Sequence, residues 1–345
     1  MNQLAEFCKN LKKDFKPKTT DAFKPVSCWS EKDMLNGKLV DTFVIIFRTK
    51  GCSWALESGC SMCGYFNDSL LKDVSEKDLL KQFEKTMERY NNEKFVKIFT
   101  SGSFLDDEEI PLNVRKQILT QLYKTAEKVS VESRPEYVTD KKINEIKDIF
   151  KSKIFEVGVG LETADDFIRQ NYINKGFTFN DYKKAANVLK KHNVKIKTYV
   201  LIKPPFLTEK QAIEDAINTV KKIYKITDIV SFNPVNVQKN TYVNYLWQRK
   251  KYRPAWLFSV VEILKKSKEI AKDKRIKCDV VGGGNIRGAH NCKSCDKQFL
   301  KAISEFSLYQ DEKVFKDLKC DCYEKWLDQL DIEDLSFGSL VNMYG

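Results

Sequence analysis

No run of apolar residues in the 345-residue chain is long enough to cross a bilayer. The longest, Phe43-Val44-Ile45-Ile46-Phe47, is far short of the roughly 20 residues that a spanning helix needs. The N-terminal stretch MNQLAEFCKNLKKDFKPK lacks the apolar core of a secretory signal, because charge recurs in every turn. Membrane-embedded and secreted proteins are therefore not expected, and a cytoplasmic location is. Internal repeats, low-complexity tracts and recognised RNA-binding motifs are missing too. What is present argues against disorder: 42% hydrophobic, 12% aromatic and 31% charged residues can build a sizeable core. The length suits one large α/β domain with a small appendage, or two ordinary domains.

The formal charge is +12 and unevenly placed. From Ile303 onward ten acidic residues face four basic ones, which leaves +18 on residues 1–302. Such an excess is an electrostatic footprint for a polyanion such as RNA, and equally the solvated surface of a lysine-rich protein.

Ten cysteines in a chain expected to be reduced point to metal or catalysis rather than to disulfides. They cluster: Cys52, Cys60 and Cys63; then Cys292, Cys295, Cys320 and Cys322; Cys8, Cys28 and Cys278 stand alone.

Residues 1–40 read as an N-terminal extension, with a short amphipathic helix near 4–15 and prolines at Pro17 and Pro25. From residue 41, β-branched runs alternate with stretches of helical period. Strands are expected at 42–48, 95–100, 128–132, 155–160, 195–202, 229–233 and 276–281. Helices are expected at 76–90, 112–127, 140–150, 180–191, 209–224 and 255–273. This alternation predicts an α/β fold with a parallel sheet, specifically a partial (β/α)6-type barrel over 41–281, with its chemistry on loops after the strands. A small Cys-rich segment, 282–345, follows.

The triad Cys52, Cys60 and Cys63 has the spacing C-x7-C-x2-C directly after the first of these strands. Three thiolates are one short of saturating a four-iron cluster, so one iron would stay open to a small molecule. The alternative is buried thiols, or zinc completed by a ligand elsewhere. Cys292 and Cys295 form a C-x2-C knuckle that Cys320 and Cys322 can complete into a closed zinc site, with His290 as a possible substitute ligand. An auxiliary iron–sulfur cluster is the competing reading. Cys278 reads as a buried apolar cysteine. Lys239, Arg249, Lys250, Lys251 and Arg253, interleaved with Tyr245, Trp247 and Tyr252, form a candidate RNA patch of cations and stacking rings, or else a solvated basic face.

A cysteine triad after the first barrel strand resembles the radical S-adenosylmethionine (SAM) superfamily, although its commonest spacing is C-x3-C-x2-C. The strings GCSWALESGCSMCGY, SGSFLDDEE, ESRPEY, GLET, NKGFTF, LIKPPFLTE, NPVNVQKNT, YRPAWL and GAHNCKSCD resemble a narrower group, the radical SAM subunit of archaeosine synthase (the RaSEA family).

The resemblance implies a [4Fe–4S] cluster on the triad, SAM on its open iron and a 5′-deoxyadenosyl radical. It also implies cofactor contacts from Ser101, Gly102 and Ser103, from Glu132 and Arg134, and from Glu162, which could instead serve the substrate. The implied substrate is a lysine-bearing 7-deazaguanine in the D-loop of tRNA. Hydrogen abstraction at the lysine ε-carbon, beside a nitrogen lone pair, would lead to C–N cleavage. Lys203, Asn233, Asn236 and Gln238 are candidates for holding the lysine. Implied partners are tRNA, a lysine-transferring subunit and a reductant protein. Competing functions are a radical SAM sulfur- or methyl-transferase acting on RNA, and a non-catalytic zinc-binding RNA module.

Overall fold

A computed structural model describes residues 3–13, 15–17 and 19–335. One eight-stranded sheet runs in simple sequence order: β1 (Ser27–Leu35), β2 (Lys38–Ile46), β3 (Phe95–Phe99), β4 (Lys128–Glu132), β5 (Ile154–Glu162), β6 (Lys195–Ile202), β7 (Ile229–Pro234) and β8 (Arg275–Cys278). β2 to β8 are parallel and β1 is antiparallel to β2. The helices are α1 (Gln3–Asn10), α2 (Ser53–Glu57), α3 (Glu76–Met87), α4 (Leu112–Tyr123), α5 (Asp140–Phe150), α6 (Asp166–Ile168), α7 (Phe179–Lys191), α8 (Glu209–Ile223), α9 (Tyr242–Gln248), α10 (Leu257–Ile270), α11 (Asp296–Tyr309) and α12 (Cys322–Asp334).

The expected strands are all present, with ends shifted by a few residues. β1 was not expected: it lies inside the stretch read as an extension. Leu35 pairs with Lys38 across Asn36-Gly37, both at positive φ (50° and 77°), the two-residue hairpin that Asn-Gly favours. A boundary at residue 40 would therefore cut a hairpin. The described part of the Cys-rich segment, 282–335, is likewise continuous with the barrel: Phe299, Phe306, Phe315 and Trp326 belong to the same core cluster as the strands.

The two faces of the sheet differ. Val96, Ile98, Val129, Val131, Val157 and Val230 are buried in the core formed with the helices. The opposite, concave face carries Lys97, Ser130, Glu156, Tyr199, Ser231 and Lys277, on positions in or near register. Its charges are paired. Glu156 accepts from Lys128 at 2.6 Å and lies 3.3 Å from Lys197. Asp33 on β1 accepts from Lys97 (2.6 Å), Lys277 (2.9 Å) and Arg275 (2.6 Å). Since Arg275 and Lys277 belong to β8, ion pairs join the two edge strands across the lumen although no ladder does. Burial opposes ionisation of Asp33, but its three cations outweigh that cost and hold the carboxyl far below its ordinary range.

Candidate active site and metal centre

The cysteine loop leaves the C-terminal end of β2. Cys52 is the N-cap of α2, and the Cys63 N–H reaches the Cys60 carbonyl at 3.3 Å. Several elements pin this loop. The π-helical turn Arg169–Ile173 offers its carbonyls: Ser61 Oγ donates to Tyr172 (2.7 Å) and Ser61 N–H to Ile173 (2.8 Å). Trp54 Nε1 donates to the carbonyl of Asn174 at 2.7 Å, while Asn174 Nδ2 donates to Gly59 at 2.7 Å. π-Turns recur at functional sites because they reorient carbonyls that a helix would use up. All three thiols are half-buried. Burial, then the neighbouring Cys60 thiol, pushes Cys63 up to about 12. Partly buried thiols on one loop gain most from a metal centre that binds them as thiolates.

Cations surround the triad. Arg134 lies over Trp54 and Phe177, 5.5 and 5.4 Å from the ring centres. It donates through Nε to Glu136 and through Nη1 to the Lys175 carbonyl at 3.0 Å. Lys175 is itself paired with Glu162 at 2.5 Å, and Glu162 sits at φ 69°. Glu132 is half-buried and hydrogen-bonded to Tyr199; burial raises its pKa. Gly102 packs on the cysteine loop: a Cβ there would lie 2.6 Å from Cys52 Cα and overlap Glu109, which excludes any side chain. Glu109 accepts from Thr49 Oγ1 at 2.5 Å and from the Ser103 N–H, and burial raises it to about 7.

The other expected site residues separate into two groups. Asn233 and Asn236 are half-buried at the end of β7, next to the mouth, and no side-chain partner occupies them among the described residues. Ser101 Oγ donates to the Tyr65 carbonyl (3.3 Å), whereas Ser103 is buried and accepts the Arg134 N–H (3.0 Å), a positioning contact. Lys203 departs from expectation. It is fully buried and paired with Glu209 at 2.6 Å, because Glu209 is drawn inside by the N–H of Trp256 and the hydroxyl of Ser259. Gln238 also has another task, since its Oε1 accepts the Gly64 N–H at 2.5 Å. In the basic patch, Lys239, Arg249, Lys250 and Lys251 are exposed, but Tyr252 and Arg253 are buried; Arg253 donates to Pro254 and His290 carbonyls.

The remaining four cysteines converge. Cys292, Cys295, Cys320 and Cys322 bring all four sulfurs within 4.8 Å of one another. The close pairs are Cys292–Cys295 (3.7 Å), Cys292–Cys320 (3.5 Å) and Cys295–Cys322 (3.8 Å). A tetrahedral zinc with Zn–S bonds of about 2.3 Å requires sulfurs about 3.8 Å apart. Asn291 Nδ2 and Ser294 Oγ approach Cys295 and Cys292 sulfurs at 3.4 and 2.9 Å, an outer shell that suits thiolates. His290 is not in this group: its Nδ1 donates to the Gly288 carbonyl at 2.7 Å. Cys278 is buried on β8, where its N–H donates to Ser307 Oγ.

Sequence reasoning did not single out Lys175, Glu109, Trp54, Asn174 or Lys12. The first four stood inside the quoted strings NKGFTF, SGSFLDDEE and GCSWALESGCSMCGY; nothing local marked Lys12.

A sequence profile of the radical SAM superfamily matches residues 46–220, which run from the end of β2 through most of α8. The chain belongs to that superfamily. It is a radical SAM enzyme. It is 40% identical to archaeosine synthase subunit beta of Methanosarcina acetivorans, over 96% of this chain and 97% of that protein. With archaeosine synthase subunit beta of Thermococcus kodakarensis the identity is 37%, over 86% of this chain and 94% of that one. It therefore belongs to the archaeosine synthase beta family. Among solved structures, methylornithine synthase shares the fold (TM-score 0.51, 12% identity, 68% of this chain and 64% of that one). Superfamily membership implies a [4Fe–4S] cluster and SAM, and Cys52, Cys60 and Cys63 are the residues on the β2 loop able to hold the cluster. No helix among the described residues is long and apolar enough to cross a membrane.

Proposed function

We propose that this chain is the radical SAM subunit of archaeosine formation and cleaves the lysine C–N bond of a lysine-adducted 7-deazaguanine in the D-loop of tRNA. The observation that carries the reading is end-to-end similarity to archaeosine synthase subunit beta together with three thiols on one loop at the barrel mouth. When bound, the cluster and SAM supply the radical that removes hydrogen from the lysine ε-carbon.

The chain's own residues bind and orient. Cys52, Cys60 and Cys63 hold the iron. Gly102, which brings its backbone against Cys52, and Ser101 beside it are the segment that would face the methionine amino group. Arg134 keeps Nη2 for the methionine carboxylate, and Glu132 faces the ribose hydroxyls. The Glu162–Lys175 pair adds an oriented dipole at the same mouth. Asn233 and Asn236 are the amides left to bind the lysine end; Lys203 and Gln238 are already engaged.

The division of labour that fits is a barrel, including the β1–β2 hairpin, for chemistry, and a small segment after β8, packed on the same core, that holds zinc through Cys292, Cys295, Cys320 and Cys322. The sulfur spacing favours zinc over the auxiliary cluster that a sulfur-transferase would need, because a cubane carries its thiolates on separate, wider-spaced irons. Partners in this reading are the tRNA, a lysine-transferring subunit matching the name "subunit beta", and a reductant protein.

Anaerobic turnover of the reduced protein with lysine-adducted tRNA tests it, followed by mass analysis of the modified base. Loss of the lysine skeleton with 5′-deoxyadenosine formation is expected. Addition of sulfur or methyl mass to the RNA would replace it with the transferase reading.

A further inference from the structure

The first helix lies against the cysteine loop and drives one cation beneath it. Ser58 Oγ donates to the Ala5 carbonyl at 3.0 Å, and the Phe7 ring meets Tyr242 and Tyr245 of α9 at 5.0 Å each. One turn beyond α1, Lys12 Nζ donates to the carbonyls of Ala55 (2.6 Å) and Ser58 (2.5 Å), which close α2. It also lies 5.3 Å from the centre of the Phe66 ring. Gly59, at φ 89°, has its α-carbon so close to this ammonium that a Cβ would overlap it. The charge thus sits inside the Cys52–Cys63 loop, within electrostatic reach of all three thiols. The other nearby cations differ in kind. Arg134 is paired with Glu136 and Lys175 with Glu162, whereas among the described residues no carboxylate pairs with Lys12.

We propose that α1 is a strap over the cysteine loop and that Lys12 is a positioning residue whose charge sets how readily the cluster on Cys52, Cys60 and Cys63 accepts its electron. This rests on the reading that the triad holds an iron–sulfur cluster. A four-iron core on three thiolates carries one net negative charge when oxidised and two when reduced. A poorly solvated cation nearby stabilises the more negative form, since the attraction is weakly screened there. Removing it therefore makes reduction harder.

The test is an anaerobic redox titration of the full-length chain, following the reduced-cluster EPR signal, with iron and sulfide content measured in parallel. Lys12→Gln keeps a donor for the two carbonyls and removes the charge; Lys12→Arg keeps the charge. With iron at the wild-type level, Lys12→Gln is expected to show about a tenfold lower ratio of reduced to oxidised cluster at a fixed ambient potential, about 59 mV for one electron. Lys12→Arg should stay near wild type. Iron lost from Lys12→Gln but kept by Lys12→Arg also supports a role for the charge. A wild-type titration curve for Lys12→Gln overturns the proposal, as does equal loss of iron from both variants, which would make packing of the strap the determinant. A wild-type chain that takes up no iron would instead end the cluster reading on which the inference rests.

Discussion

Two groups of cysteines in this chain are arranged in opposite ways. The C-terminal four come from two separated segments and close on one another, with every sulfur within 4.8 Å of the rest and two of them buried. The triad comes from one loop, with all three thiols half-buried, and Arg134, Lys175 and Lys12 stand within electrostatic reach of it; no fourth metal ligand closes on it among the described residues. Closure satisfies a metal and leaves nothing to react; an incomplete set keeps a coordination position for a cofactor. Count and spacing of thiols, more than their presence, separate a staple from a reaction centre.

The comparison breaks most sharply at Cys60. Cys60→Ala should abolish SAM cleavage to the background of cluster-free protein while zinc stays at its wild-type level, as paired activity and metal assays would show. Retained activity would mean that the triad is not the reaction centre. Cys322→Ser should do the reverse: zinc is lost and the thermal midpoint falls, but the iron per folded chain is unchanged, because structural zinc contributes to folding. If iron were lost and zinc kept, the roles of the two groups would be exchanged.

The lumen offers a further contrast, since its buried acid Asp33 is shared by three cations, whereas beside the cysteine triad Lys12 has no carboxylate partner among the described residues. Asp33→Ala leaves Lys97, Lys277 and Arg275 without their shared acceptor, and a loss of about 3–5 kcal/mol in unfolding free energy is expected by denaturant titration. A loss within about 0.5 kcal/mol would show that the ion pairs do not hold the edge strands together.

The smallest effect concerns Glu109 at the mouth. Burial raises its carboxyl to about 7 from an ordinary 4.5, so the folded state keeps a proton that the unfolded chain has lost. The stability this contributes is complete below pH 4.5 and is lost as pH rises through 7. Glu109→Gln should flatten the fall in stability across that interval, and an unchanged pH profile would contradict the assignment.

Much of this architecture is legible in the sequence because periodicity and thiol spacing are local. The strand 128–132 and the helix 140–150 coincide with β4 and α5, and both cysteine groups stand out by spacing alone. β1 was missed although Asn36-Gly37 is a strong hairpin signal: SCWSEKDML is too polar to read as a strand until its partner is known. Its Asp33 faces β8, more than two hundred residues away, and no local pattern reports such a pairing. Lys203 and Gln238 look like ligand groups in the sequence because both are polar residues in loops after strands. Glu209 and the Gly64 N–H claim them only once the chain is folded. Lys12 is hidden for the same reason, one lysine among many until α1 docks.

The account stands most directly on the metal content of the anaerobically purified protein, measured beside Cys60→Ala. About four irons with matching sulfide and about one zinc per chain are predicted for the wild type, and zinc alone for the variant. Zinc without iron in the wild type, or iron that survives in Cys60→Ala, would contradict it.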